Sequence, residues 1–85
     1  MHTIYCISSA ATNFFYLNVA KDYEVCVSMH NKLLAGNQHP IKDLQKIYNL
    51  YGANDIFYTP LDDQIEEKTK DRAVLAYRAA MTRGN

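Results

Sequence analysis

Residues 3–24, TIYCISSAATNFFYLNVAKDYE, decide the architecture of this chain. Residues 3–7 are rich in β-formers, and Ser8, Ser9, Ala10, Ala11, Thr12 and Asn13 behind them are small and polar, as a turn requires. Residues 14–19 read as a second strand. Two strands this close in sequence pair most economically as an antiparallel hairpin, with Tyr5 and Tyr16 near its middle. Asp22 then has the chemistry of a helix N-cap.

From there the pattern is helical. Tyr23, Cys26, Val27, His30, Leu33 and Leu34 recur at helical spacing until Gly36, a natural stop. Ile41, Leu44, Ile47, Tyr48 and Tyr51 form a second amphipathic set, closed by Gly52. Ile56, Phe57 and Tyr58 make a short third strand. Thr59 followed by Pro60, with Asp62 to complete a capping box, predicts a long third helix running to about Met81. That helix would carry Asp62, Asp63, Glu66 and Glu67 early and Arg72, Arg78 and Arg83 later, which complements its dipole and suits a solvated face. The expected fold class is α+β: a small three-stranded sheet, antiparallel or mixed, flanked by helices in the order ββααβα.

Eighty-five residues hold one core, so residues 1–85 are expected to form a single domain. Apolar residues at 48% and charged ones at 21% exclude the disordered class. Nine basic and nine acidic side chains cancel, which argues against a strong long-range field and so for weak or no autonomous DNA binding. Lys21, Lys32, Lys42 and Lys46 could still make a local stripe for nucleic acid. Cys6 and Cys26, the two cysteines, fit reduced thiols and a cytoplasmic setting. No apolar run approaches membrane-spanning length and the first residues lack a signal-peptide layout. Membrane association is not expected.

Several linked features resemble the GIY-YIG nuclease family, including its homing endonucleases. Thr3-Ile4-Tyr5 stands where that family has Gly-Ile-Tyr, and Tyr16-Leu17-Asn18 where it has Tyr-Ile-Gly, with about the family's separation. Ala20-Lys21-Asp22-Tyr23-Glu24 is similar to the family's entry into its first helix, and His30 falls at its helical histidine. Leu33, Leu34, Gly36 and His39 follow the next segment, while Leu44-Gln45 and Tyr51-Gly52 bracket the second helix. The match covers roughly residues 3 to 61, and the last helix only in type.

In that family the resemblance implies two hairpin tyrosines and a histidine that position and deprotonate water, an arginine that stabilises phosphate charge, and a glutamate on the last helix that holds a divalent metal. Tyr5, Tyr16 and His30 stand at the first three positions. Cys26 stands at the arginine, four residues before His30, and a thiol cannot present a guanidinium fork. The glutamate has no clear counterpart: depending on register, Val74, Thr69 or Arg72 takes its place. The expectation is therefore a pseudo-nuclease without catalytic residues, cofactor or metal. It would act as a binding or inhibitory module on a protein or nucleoprotein partner, with self-association left open; in a phage or mobile-element setting it would work in the host cytoplasm. The alternatives are a Mg2+-dependent endonuclease with a rearranged site drawing on Glu66 or Glu67, or a non-cleaving nucleic-acid binder. Blander readings stand beside these: tyrosines in a small sheet pack across strands, and a histidine on an apolar face is usually a hydrogen-bonded core residue. A zinc site from Cys26, His30 and His39 would lack its fourth ligand.

Overall fold

The computed structural model describes residues 1–83; residues 84 and 85 of the expected single domain lie outside it. Strand β1 (His2–Ser9) pairs antiparallel with β2 (Phe15–Ala20) on one side and with β3 (Ile56–Ile65) on the other, giving the order β2-β1-β3. Helices α1 (Tyr23–Ala35) and α2 (Lys42–Tyr51) cover one face of this sheet, and α3 (Lys70–Arg83) covers the other. The sheet is wholly antiparallel and the order is ββααβα, as the pattern implies.

The central strand supplies both cores because successive side chains point to opposite faces. Tyr5 and Ile7 pack with Leu34 of α1, Leu44 and Ile47 of α2, and Ile56. Ile4 and Cys6 pack with Leu17, Ile65 and Val74 of α3. Burying side chains such as Leu34, Leu44 and Ile4 stabilises by ~1.5–3 kcal/mol each. Helix α3 also bridges the sheet from edge to edge: Arg78 donates to the Leu17 carbonyl of β2 at 3.1 Å, and Tyr77 donates to Asp62 of β3 at 3.4 Å.

Local signals hold at three helix ends. Asp22 accepts the Val25 N–H at 3.2 Å and caps α1. Gly52 sits at φ 89° after α2, a left-handed conformation that suits glycine. Helix α1 stops where expected, with Gly36 as its C-cap (φ −85°), and the left-handed position beyond it belongs to Asn37 (φ 58°).

The third helix is where the sequence reading fails. Residues 59–65 continue β3 instead of starting a helix; Thr59 pairs with Cys6 and Pro60 with Tyr5. Helix α3 starts at Lys70, after a 3-10 turn over Glu67–Thr69. Proline is tolerated here because β3 is an edge strand, and the register shifts between His2, Ile4 and Tyr5 absorb the irregularity. Asp62 and Asp63 therefore belong to a strand, and Asp71 is the acidic residue of the first turn of α3. The expected dipole complementarity of four early acids is lost with the misplaced boundary.

Candidate active site

Cross-strand pairing fixes which side chains can meet. Tyr5 lies opposite Asn18, and Tyr16 opposite Ile7, so the two tyrosines are diagonal neighbours on the face that α1 and α2 cover. The Tyr5 hydroxyl lies 3.0 Å from His30 Nε2, and Cys26 Sγ, one helical turn before His30, donates to the same oxygen at 3.4 Å. His30 Nδ1 is 2.7 Å from His39 Nε2, and His39 Nδ1 accepts the Ile41 backbone N–H at 3.0 Å. Rings of His30 and His39 lie nearly parallel, 17° apart.

The backbone amide at the base of this chain fixes every proton in it. Ile41 N–H can only donate, so His39 Nδ1 carries a lone pair and its proton sits on Nε2. His39 then donates to His30 Nδ1, which leaves the His30 proton on Nε2, directed at the Tyr5 oxygen. Adding a proton to either ring would set two N–H groups against each other. Burial lowers the pKa of both histidines, and for His30 the neighbouring His39 adds to the effect. Burial likewise pushes the Tyr5 phenol far above its usual range. Tyr5 is therefore a neutral phenol whose oxygen already accepts from His30 and Cys26, with its own proton left to donate.

Tyr16 repeats the arrangement on the neighbouring strand. Its oxygen accepts from Asn18 Nδ2 at 2.6 Å, and Asn18 is oriented by the Val19 N–H, which donates to its Oδ1 at 2.8 Å. Asn18 thus fills the place of the family's second motif glycine with a side chain that orients a tyrosine. Tyr58 extends the aromatic wall: its ring lies 6.1 Å from that of His30, its hydroxyl donates to Asn31 at 2.9 Å, and burial raises its pKa to about 12.

Other expected residues are not brought here. Glu67 pairs with Lys70 at 2.8 Å and lies 3.5 Å from His2 at the start of β1. Val74 is buried among Ile4, Cys6, Leu17 and Ile65 across the sheet from Tyr5. His30 and His39 use their facing nitrogens on each other, and among the described residues no three His, Cys, Asp or Glu side chains converge as a metal cage. Lys42 and Lys46 line one cleft with His39, but Lys21 and Lys32 do not join them there. Sequence reasoning overlooked Gln45 as an anchor. It is buried, accepts the His39 N–H and donates to the Leu34 carbonyl, both at 3.0 Å, and so holds the loop that carries His39. A polar residue between Leu44 and Ile47 on an amphipathic helix was the available signal.

The chain has a GIY-YIG-like fold. It is similar over 93% of its length, at 27% identity and a TM-score of 0.76, to the catalytic domain of the intron endonuclease I-TevI in a glutamate-to-alanine mutant form, covering 84% of that chain. No protein-family model and no curated protein matches it. The expectation of a pseudo-nuclease is corrected by this likeness, because the fold built along nearly the whole chain is one that an endonuclease uses as its catalytic domain. No helix among the described residues is long and apolar enough to cross a membrane.

Proposed function

We propose that this chain is a nuclease domain that cleaves a phosphodiester of nucleic acid at the sheet face carrying Tyr5, Tyr16 and His30. What supports the reading is the orientation of the Tyr5 proton together with the likeness to an endonuclease catalytic domain. Attack on a phosphodiester gathers negative charge on the phosphoryl oxygens, and donors fixed beforehand at that place lower the barrier without reorganising. Two phenolic hydroxyls, each accepting from an oriented neighbour, can serve as such donors, Tyr16 from a half-buried position and Tyr5 from a ring that is 2% exposed. Cys26, where the family has arginine, contributes indirectly by donating to the Tyr5 oxygen.

The family resemblance implies a divalent metal, whose part would be Lewis-acid stabilisation of the phosphoryl oxygens. Among the described residues no protein-built cage for one is formed, so the role assigned to this chain rests on the tyrosines and histidines alone.

A plasmid-nicking assay, run with Mg2+, with Mn2+ and with chelator, tests the proposal. Nicking by the wild-type chain that falls ~100-fold in Tyr5→Phe, which keeps the ring and removes the donor, is the expected result. A wild-type chain that nicks under none of these conditions, or an unimpaired Tyr5→Phe, overturns it.

A further inference from the structure

Beside His39, between the end of α1 and the exposed side of α2, lies an open cleft of about 510 Å³. Lys42 and Lys46, one helical turn apart, stand along it with Asn37, Gln45 and Asn49, and no carboxylate lines it. Both lysines are exposed, and among the described residues neither forms a salt bridge. A cleft of this size accommodates a nucleotide-sized group.

The polar wall is one-sided because two backbone groups orient it. His39 N–H donates to Gln45 Oε1 and the Leu34 carbonyl accepts from Gln45 Nε2, which settles the direction of that amide. Gln45 Nε2 also donates to Asn49 Oδ1 at 3.0 Å, so Asn49 Nδ2 faces Asn37 and donates to its Oδ1, again at 3.0 Å. Each amide oxygen in the row thereby already accepts one bond, and so does His39 Nδ1. The two ammonium groups, the Asn37 Nδ2 hydrogens and the second Asn49 Nδ2 hydrogen are left to donate. A cleft with two ammonium groups, spare amide donors and no lining carboxylate selects an anion, and phosphate oxygens are the acceptors that match it.

We infer that this cleft is a backbone subsite for a nucleic-acid strand, in which Lys42, Lys46 and Asn37 hold phosphates flanking the one presented to Tyr5. The inference deepens the nuclease reading and rests on it for the choice of a strand over a free anion. His39 is the shared wall: its ring is 5.0 Å from that of His30, which is 5.9 Å from that of Tyr5. Those steps amount to at most about 11 Å, roughly three nucleotides at ~3.4 Å of rise each. A strand crossing the tyrosine face therefore reaches the cleft within a few residues.

Binding of a short DNA duplex, followed by fluorescence anisotropy over a series of salt concentrations in chelator, isolates the subsite from cleavage. Each lysine withdrawn from a phosphate reduces the slope of log affinity against log salt by ~0.9, so Lys42→Ala/Lys46→Ala lowers it by about 1.8. The charge-matched pair Lys68→Ala/Lys70→Ala, toward the α3 side, leaves the slope unchanged, and millimolar inorganic phosphate at constant ionic strength does not displace the duplex. An equal slope in the two double variants, displacement by inorganic phosphate, or no duplex binding by the wild type even at low salt each overturns the subsite. Nicking with an unchanged slope would refute the subsite alone, whereas a reduced slope without nicking would refute the nuclease reading alone.

Discussion

His39→Leu separates a histidine that directs protons from one that merely fills space. Leucine approximates the ring's volume, so little cavity forms, but the Ile41 N–H and His30 Nδ1 are each left without a partner in a site that is largely closed. An unmade hydrogen bond of that kind costs ~1–3 kcal/mol, so a loss of about 2–4 kcal/mol is expected. For a domain of this size that is a fall in Tm of roughly 10–25 °C. The pH dependence carries the sharper test. Both histidines have folded-state pKa values below the ordinary ~6.5, so as pH falls through that value the unfolded chain takes up protons before the folded one does. The stability they confer is complete above about 6.5 and is lost toward their depressed folded values, with a slope of at most ~1.4 kcal/mol per pH unit for each ring. His39→Leu removes one ring and relieves the repulsion that His39 exerts on His30, so the slope drops to half or less. Urea denaturation followed by circular dichroism at stepped pH measures this, and nitrogen-15 shifts of the imidazoles read the tautomers directly, with both protons expected on Nε2. A wild-type His30 protonated on Nδ1, or a variant with an unaltered slope, would falsify the proton assignment.

Three further changes probe the supports of the site. Gln45→Leu should lower stability by about 2–4 kcal/mol in chemical denaturation, since the His39 N–H and the Leu34 carbonyl are both deprived of buried partners. Asp55→Ala releases the loop between β1 and β2, because that carboxylate accepts from Ser9 Oγ at 2.5 Å and from the Ala11 N–H at 2.8 Å; a loss of ~2–4 kcal/mol and faster amide exchange at Ala11 are expected. Val74→Glu buries a carboxyl against Ile4, Leu17 and Ile65, so it should cost at least ~3 kcal/mol at neutral pH. Burial raises that new group's pKa, and the deficit should shrink as pH falls toward the ordinary carboxylate range. A Val74→Glu chain as stable as the wild type would show that α3 does not pack as described.

Much of the fold was legible because its signals are local. Asp22 caps its helix through a residue three positions away, Gly52 ends α2 by its own backbone freedom, and the run of β-formers at residues 3–7 marks a strand without outside help. Thr59-Pro60 misled for the complementary reason: its capping signal is also local, but pairing with Cys6 and Tyr5, more than fifty residues earlier, outweighs it. The tyrosines and His30 could be placed through the resemblance to the GIY-YIG motifs, yet the direction of their protons could not. It depends on Ile41 and Gln45, whose bonds to His39 exist only once the loop after α1 folds back onto α2. Asp55 reads in sequence as an ordinary turn residue, and its bonds to Ser9 and Ala11 span more than forty positions.

The irregular pairing around Ile4 also shapes how molecules of this chain meet one another. An outermost strand of ten residues offers a long row of unpaired amides and carbonyls on which a second copy could zip itself. Pro60 breaks that row by lacking an N–H, the register shifts interrupt its straight run, and Asp62 and Asp63 would set like charges together in any symmetric contact. The residues that disguised this strand as the start of a helix are thus the ones that interrupt its outer edge.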